Sequence, residues 1–231
     1  MIDSLFHGDT LKESAEIAGI CEYTAFVWRH KILSICVKLT ADKPKLSGTV
    51  YLDEKLVDVN HIGELSNDDK KVKRGISNQK RNIACAIDEH GKKIIEVSEK
   101  GRIHTKELYR IFKDSIPSSC TVVSDSLRSY HKLMKDLNVT WIKIPSGKNE
   151  KDGYTLNKIN LVHSSIELFL HKYRGISDKY LSNYMGLYKI KDQYKNIHNK
   201  RIFSKLYETL VTSSCELRYK HFSSEFSFSM I

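Results

Sequence analysis

The spacing of apolar positions changes along the chain and marks out its elements. Between residues 9 and 35 the period is helical: Leu11, Ala15 and Ala18 recur at spacings of four and three, with Thr10 placed to cap the start. Gly19-Ile20 interrupts that pattern. Phe26, Val27, Ile32 and Leu33 then mark a second helical stretch from about Tyr23 to Ile35. Residues 37–47 read as a linker, broken by Asp42-Lys43-Pro44-Lys45. Beyond it the pattern becomes strand-like over Val50–Val57, Arg81–Asp88 and Lys93–Glu99, the last two joined by the turn Glu89-His90-Gly91-Lys92. The polar segment Asn60–Asn78 reads as a loop. Thr105–Ser115 is helical, with Leu108, Ile111 and Phe112 on one face. Thr121–Ser124 is a strand, Leu127–Leu137 a helix, Thr140–Ile144 a strand, and Leu156–Tyr173 a long helix after a polar, basic loop.

The resulting order, β-β-β-α-β-α-β-α, predicts an α/β protein with a ribonuclease-H-like mixed sheet flanked by helices. Three leading strands would form an antiparallel meander, with the later strands joined through helices. In this fold the first and fourth strands lie side by side at the centre of the sheet. The two N-terminal helices and their glycine turn follow the helix-turn-helix plan, placing a small DNA-binding segment at residues 1–36. An αα-hairpin without DNA contact is the competing reading of that pair. A catalytic domain is expected over 48–190, with a helical or irregular tail over 191–231.

Composition narrows the setting. Hydrophobic residues make up 40% of the chain, and no apolar run approaches the roughly 20 residues needed to span a bilayer. The N-terminus lacks a basic region followed by an apolar stretch, so no membrane partner and a cytoplasmic location are expected. Five scattered cysteines without a Cys-x-x-Cys pair fit a reducing compartment. Thirty-eight Lys and Arg against 28 Asp and Glu give a formal charge of +10, which favours a polyanionic partner. The charge is clustered at Lys70–Arg74 with Lys80-Arg81, and again over Lys143–Lys151.

Two segments carry the candidate chemistry. Thr49-Val50-Tyr51-Leu52-Asp53 and Thr121-Val122-Val123-Ser124-Asp125 are each a β-branched run ending in a carboxylate, which places an acid at the mouth of the sheet. If the first and fourth strands are neighbours, so are Asp53 and Asp125. Phosphoryl transfer on DNA is served by two divalent ions about 4 Å apart, which stabilise the attacking and leaving oxygens together. Mg²⁺ takes oxygen ligands and keeps several waters, so two or three carboxylates suffice. Asp53 would bridge both ions and Asp125 would hold one. On the last helix Asn160, His163, Ser164, Glu167 and His171 recur at spacings of three and four, so one of them is the expected third ligand; a solvated polar stripe is the bland alternative.

These residues resemble an insertion-sequence transposase of the DDE superfamily, in the ISXO-type group. The resemblance runs through Ala15-x-x-Ala18-Gly19-Ile20, Thr24-Ala25-Phe26-x-Trp28-Arg29-His30-Lys31-Ile32-Leu33 and Leu52-Asp53-Glu54-Lys55. It continues through Lys73-Arg74-Gly75-Ile76-Ser77, Ser124-Asp125, Asn157-x-Ile159-Asn160-x-x-His163-Ser164 and Gly175-Ile176-Ser177-x-Lys179-Tyr180-Leu181-x-x-Tyr184. It implies that Asp53 and Asp125 are the first two ligands of Mg²⁺ or Mn²⁺. Many relatives carry Asn-x-x-Glu on the last helix, and His163 stands where that Glu would be. His163 therefore ranks first as third ligand, Asn160 second in support, and Glu167 third; a neutral imidazole suits Mn²⁺ better than Mg²⁺. The resemblance further implies double-stranded DNA as partner, both element ends and target, with a homodimer on DNA and a bacterial, nucleoid-associated location. Arg29, His30 and Lys31 in the second helix, Arg74 and Arg81, and Lys143, Lys148 and Lys151 before the last helix are the expected phosphate contacts.

Relatives begin with a zinc ribbon of paired cysteines that has no counterpart here. A catalytically inactive DNA-binding remnant is the alternative this difference motivates. A ribonuclease H or resolvase is a third reading, disfavoured because Glu54, next to Asp53, would point to the opposite face of a continuous strand.

Overall fold

The computed structural model of the chain describes residues 1–59, 80–148, 150–173 and 175–193, together with 204, 207–209, 212 and 217. The predicted loop 60–78, and Arg74 within it, lie outside the described residues. The chain divides into two compact units, one formed by residues 1–41 and 183–231, the other by residues 42–182. Residues from Asn183 onward group with the N-terminal helices.

In the first unit, α1 (Ile2–His7), α2 (Leu11–Ala18) and α3 (Glu22–Leu39) are joined by α7 (Leu181–Gln193) from Asn183 on. Thr10 caps α2 as its sequence position predicts. Its hydroxyl accepts the Glu13 N–H at 3.2 Å, and the Glu13 carboxylate accepts the Thr10 N–H at 2.7 Å, closing a capping box. Replacing Thr10 with Ala is expected to cost about 1 kcal/mol, read as a lower urea midpoint of unfolding. An unchanged midpoint would show that the box contributes nothing. Gly19 ends α2 at φ 64 and turns the chain into α3. α3 buries Ala25, Val27, Ile32, Leu33, Ile35 and Cys36, and α7 approaches it near Val37. At Gly186 the two backbones approach so closely that a Cβ would lie 2.8 Å from the Val37 nitrogen.

The second unit is built on a five-stranded sheet: β1 (Thr49–Asp58), β2 (Lys80–Asp88), β3 (Lys93–Lys100), β4 (Thr121–Ser124) and β5 (Thr140–Lys143), in the order β3-β2-β1-β4-β5. β2 pairs antiparallel with both β1 and β3, while β4 runs parallel to both β1 and β5. This is the ribonuclease-H-like arrangement, with β1 central and β4 beside it.

The pleat divides the side chains of β1 between two helical layers. Val50 and Leu52 face a core completed by α4 (Thr105–Phe112) and α5 (Arg128–Leu137) through Leu108, Ile111, Phe112, Tyr130, Leu133 and Met134. Tyr51, Asp53 and Lys55 face α6 (Asn157–Lys172), which buries Ile159, Val162, Ile166 and Phe169. β2 is covered on both sides and is accordingly apolar almost throughout, Ile83-Ala84-Cys85-Ala86-Ile87. A short hairpin absent from the expectations, β6 (Glu150–Lys151) with β7 (Tyr154–Thr155), precedes α6. Asp152 at φ 52 and Gly153 at φ 80 form its two-residue turn, with the positive φ at both positions that a type I′ hairpin requires. Among the described residues, no helix is long and apolar enough to cross a membrane.

Candidate active site

The parallel register pairs Val50 with Val122 and Tyr51 with Val123. Two residues further along both chains stand Asp53 and Asp125. Asp53 is not at a strand end, as the sequence suggests, but midway along β1; it is accessible because β4 stops at Ser124 and β1 continues past it. Another acid of the sheet, Asp88, differs in kind. It closes antiparallel β2 opposite Val50, at the other end of the sheet, and its carboxylate accepts N–H groups of Ser47, His90 and Lys92. Strand direction therefore selects Asp53 and Asp125 as the pair that shares one edge.

Electrostatics set this pair apart. Asp53 is largely buried, and that burial, reinforced by the negative charge of Asp125, pushes its carboxyl up to about 6, despite the Glu54 N–H that its Oδ1 accepts at 2.9 Å. Among the described residues no Lys or Arg forms an ion pair with either acid. The Asp125 Oδ1 accepts the Leu127 N–H at 2.9 Å, which fixes the carboxylate where the chain enters α5. Glu54 points to the other face, as strand alternation requires. The Tyr130 hydroxyl donates to Glu54 Oε2, and burial pushes the Glu54 carboxyl up to about 7.

α6 lies along the Asp53 face of β1 in matched step. Four helical residues rise about 6 Å and two strand residues about 6.6 Å, so His163 and Glu167 meet Asp53 and Lys55 in turn. His163 is buried, with Nδ1 3.9 Å from Asp53 Oδ2, beyond hydrogen-bonding distance, and its Nε2 is enclosed without a partner among the described residues. Burial, with help from the nearby Lys55 charge, pushes the imidazole down to about 4, so at neutral pH it is uncharged and retains a lone pair for a ligand. Glu167 is exposed and bonded to Lys55 Nζ at 2.7 Å, which draws it away from the acid pair. Asn160, one turn before His163, is exposed. The polar positions expected to share one face are therefore split, with His163 alone among them turned into the interior.

The expected phosphate contacts divide in the same way. Arg29 and His30 are buried, not presented to a polyanion: the Arg29 guanidinium donates to the Asp9 carbonyl at 2.7 Å and to Ser14 Oγ at 3.0 Å, and His30 packs edge-on against Phe26 and Tyr184. Lys31 stands over the half-exposed Trp28 ring. Arg81 is ion-paired with buried Asp178 and donates to the Ser98 carbonyl, a structural commitment. Lys143 ends β5, 3.2 Å from His131 Nε2 and over the Trp141 ring. Lys148 and Lys151 are exposed on and beside the β6–β7 hairpin.

A divalent cation suits this donor set. Among the described residues no three His, Cys, Asp or Glu side chains enclose a ready-made metal cage. Mg²⁺, however, is commonly held by one or two carboxylates plus substrate phosphate oxygens rather than by an all-protein cage. Two mutually repelling carboxylates with no ion-paired Lys or Arg among the described residues, beside an orphaned neutral imidazole nitrogen, fit that requirement.

The sequence matches the model of the ISXO2-like transposase domain over residues 45–189. No curated protein matches it significantly. Among solved structures, it is similar to a chain of the simian T-cell lymphotropic virus intasome in complex with PP2A regulatory subunit B56 gamma, at 11% identity and TM-score 0.42, covering 65% of this chain and 50% of that one. It is also similar to the Mos1 strand transfer complex at 16% identity and TM-score 0.28, covering 72% of this chain and 59% of that one. The pre-cleavage Mos1 transpososome is similar at 14% identity and TM-score 0.28, with coverages of 81% and 72%. The chain thus spans half the length of the first of these and under two thirds of the second.

Proposed function

The chain belongs to the family of ISXO2-like transposase domains, and from that premise we propose that it cuts and joins DNA strands at the ends of an insertion element, with Asp53 and Asp125 holding the divalent ions. The observation that carries this reading is the pairing of two carboxylates on parallel neighbouring strands, one of them pushed up to about 6 by burial and by the other's charge. Two Mg²⁺ or Mn²⁺ ions bound there would neutralise charge on the scissile phosphate and lower the proton affinity of the attacking oxygen.

The protein's own contribution is placement. Asp53 sits on the central strand and would hold the ions together with Asp125. The Leu127 N–H holds one oxygen of Asp125, and the other would serve as a ligand. His163 would supply a neutral nitrogen from α6, while Asn160, one turn before it, is exposed. The Lys55–Glu167 ion pair keeps the Lys55 charge close by and withdraws Glu167 from ligation. Tyr130 likewise ties Glu54 to the far face. Lys143, Lys148 and Lys151 lie before α6 as phosphate contacts, and their contribution to binding weakens steeply with salt.

The test is incubation of the purified chain with duplex DNA carrying the element's ends. Strand cleavage with Mg²⁺ or Mn²⁺, abolished by EDTA and followed by joining of the freed 3′ end to target DNA, is the expected result. Binding without cleavage under either ion would contradict it.

A further inference from the structure

α4 and α5 start side by side: the Thr105 hydroxyl, at the start of α4, donates to the Ser129 carbonyl in the first turn of α5 at 3.0 Å. Between these two helix starts lies an open cleft of about 640 Å³, walled by Arg102, His104 and Thr105 on one side and Arg128, His131 and Lys132 on the other. No Asp or Glu lines it. Arg102, Arg128 and Lys132 are exposed and form no ion pair or hydrogen bond among the described residues. Three fixed positive charges thus face one concavity without a counter-charge.

Two further features add to that field. Neither helix has a side-chain cap, so the partial positive ends of both point at the same space. The Ser129 hydroxyl in the wall is buried and has no hydrogen-bond partner among the described residues, leaving a donor available.

The cleft is also continuous with the acid pair. Asp125 accepts the Leu127 N–H one residue before Arg128. His131, in the cleft wall, stands 3.2 Å from Lys143 Nζ, and Lys143 is the β5 partner of Ser124. His131 therefore links the basic cleft to Lys143, which pairs with Ser124 next to Asp125. An open, basic cleft with no acid in its lining suits a chain of phosphates.

We propose that this cleft binds the sugar–phosphate backbone of the DNA being cut, on the α5 flank of Asp53 and Asp125. The assignment rests on the DNA-cutting reading above and adds a subsite to it. Its contacts go to phosphates and not to base edges, so they position the strand without reading sequence.

The experiment compares two double variants that remove equal charge: Arg128→Gln with Lys132→Gln, both on α5 inside the cleft, and Lys113→Gln with Lys135→Gln, just after α4 and on α5, outside it. Duplex affinity is measured by fluorescence anisotropy in EDTA between about 50 and 200 mM salt. Two lost phosphate contacts lower the slope of log K against log salt by about 1.8, and reduce affinity about 60-fold near 0.1 M salt. The outside pair is expected to leave slope and affinity at wild-type values, and thermal unfolding confirms that both variants fold. A cleft pair that behaves like the outside pair overturns the proposal, while cleavage by the wild type with Mn²⁺ would leave the DNA-cutting reading standing. Failure of the wild type to bind or cut DNA removes both. Inorganic phosphate substituted for chloride at constant ionic strength is expected to displace DNA no better than chloride does; selective displacement would reassign the cleft to a small free phosphate.

Discussion

Asp53→Asn and Asp125→Asn each lower metal-dependent strand cleavage by about 10²–10³-fold, the scale on which removal of one group stabilising transition-state charge is felt. Both changes keep the shape of the side chain and remove its charge. Asp125→Asn also keeps an oxygen able to accept the Leu127 N–H, so the entry to α5 is preserved. His163→Ala is expected to fall less far, because a neutral nitrogen contributes ligation but no charge, and its loss should be greater with Mn²⁺ than with Mg²⁺. Cleavage rates on end-containing duplex, measured with each ion, decide the order. Full activity in either Asn variant would remove that acid from the site.

The same Asp53→Asn change raises stability. The folded-state value of about 6 for Asp53 lies above the ordinary 3.8, so the folded protein holds this proton more tightly than the unfolded chain does. Below about pH 4 the carboxyl is protonated in both states and costs nothing. As the pH rises toward 7 the folded state must ionise a buried acid beside Asp125, and stability falls. Asn never ionises, so at pH 7 without divalent ions the variant is expected to be more stable than wild type by up to about 3 kcal/mol, with the gap closing as the pH falls to 4. His163, held down to about 4, works in the opposite direction between its ordinary 6.5 and that value, losing stability as the pH falls. Because His163 is present in both proteins, the comparison isolates Asp53. Adding Mn²⁺ stabilises only the protein that binds it, which narrows the gap at pH 7. Denaturant midpoints for both proteins at pH 4 and pH 7 test this; equal midpoints at both would show that Asp53 carries no burial cost. A site retained at the expense of stability is the signature expected of function.

The acid pair was legible in the sequence because strand periodicity and element order are local signals, and together they made the first and fourth strands neighbours. The orientation of Glu54 followed from the two-residue repeat alone. Other features depended on tertiary context. Asp53 lies midway along β1 because β1 extends to Asp58 while β4 ends at Ser124, and a sequence run cannot show where its neighbour stops. Arg29 was expected as a phosphate contact because it is one of three basic residues late in the second helix, yet it serves the α2–α3 junction through Asp9 and Ser14, partners up to 20 residues away. Arg81 was hidden in the same manner by Asp178. The β6–β7 hairpin did leave a trace, the Asp152-Gly153 pair, but its strands are too short and polar to show periodicity. Arg102, Arg128 and Lys132 did not register as a cluster because they are isolated along the chain; the adjoining starts of α4 and α5 bring them together.

The most direct measurement is calorimetric titration of Mn²⁺ into the wild-type chain and into Asp53→Asn and Asp125→Asn, at pH 7 and without DNA. Saturable binding by the wild type that is lost in both variants is the result expected of a metal site built by these two acids. Wild-type affinity retained in the Asp53→Asn and Asp125→Asn variants would contradict it.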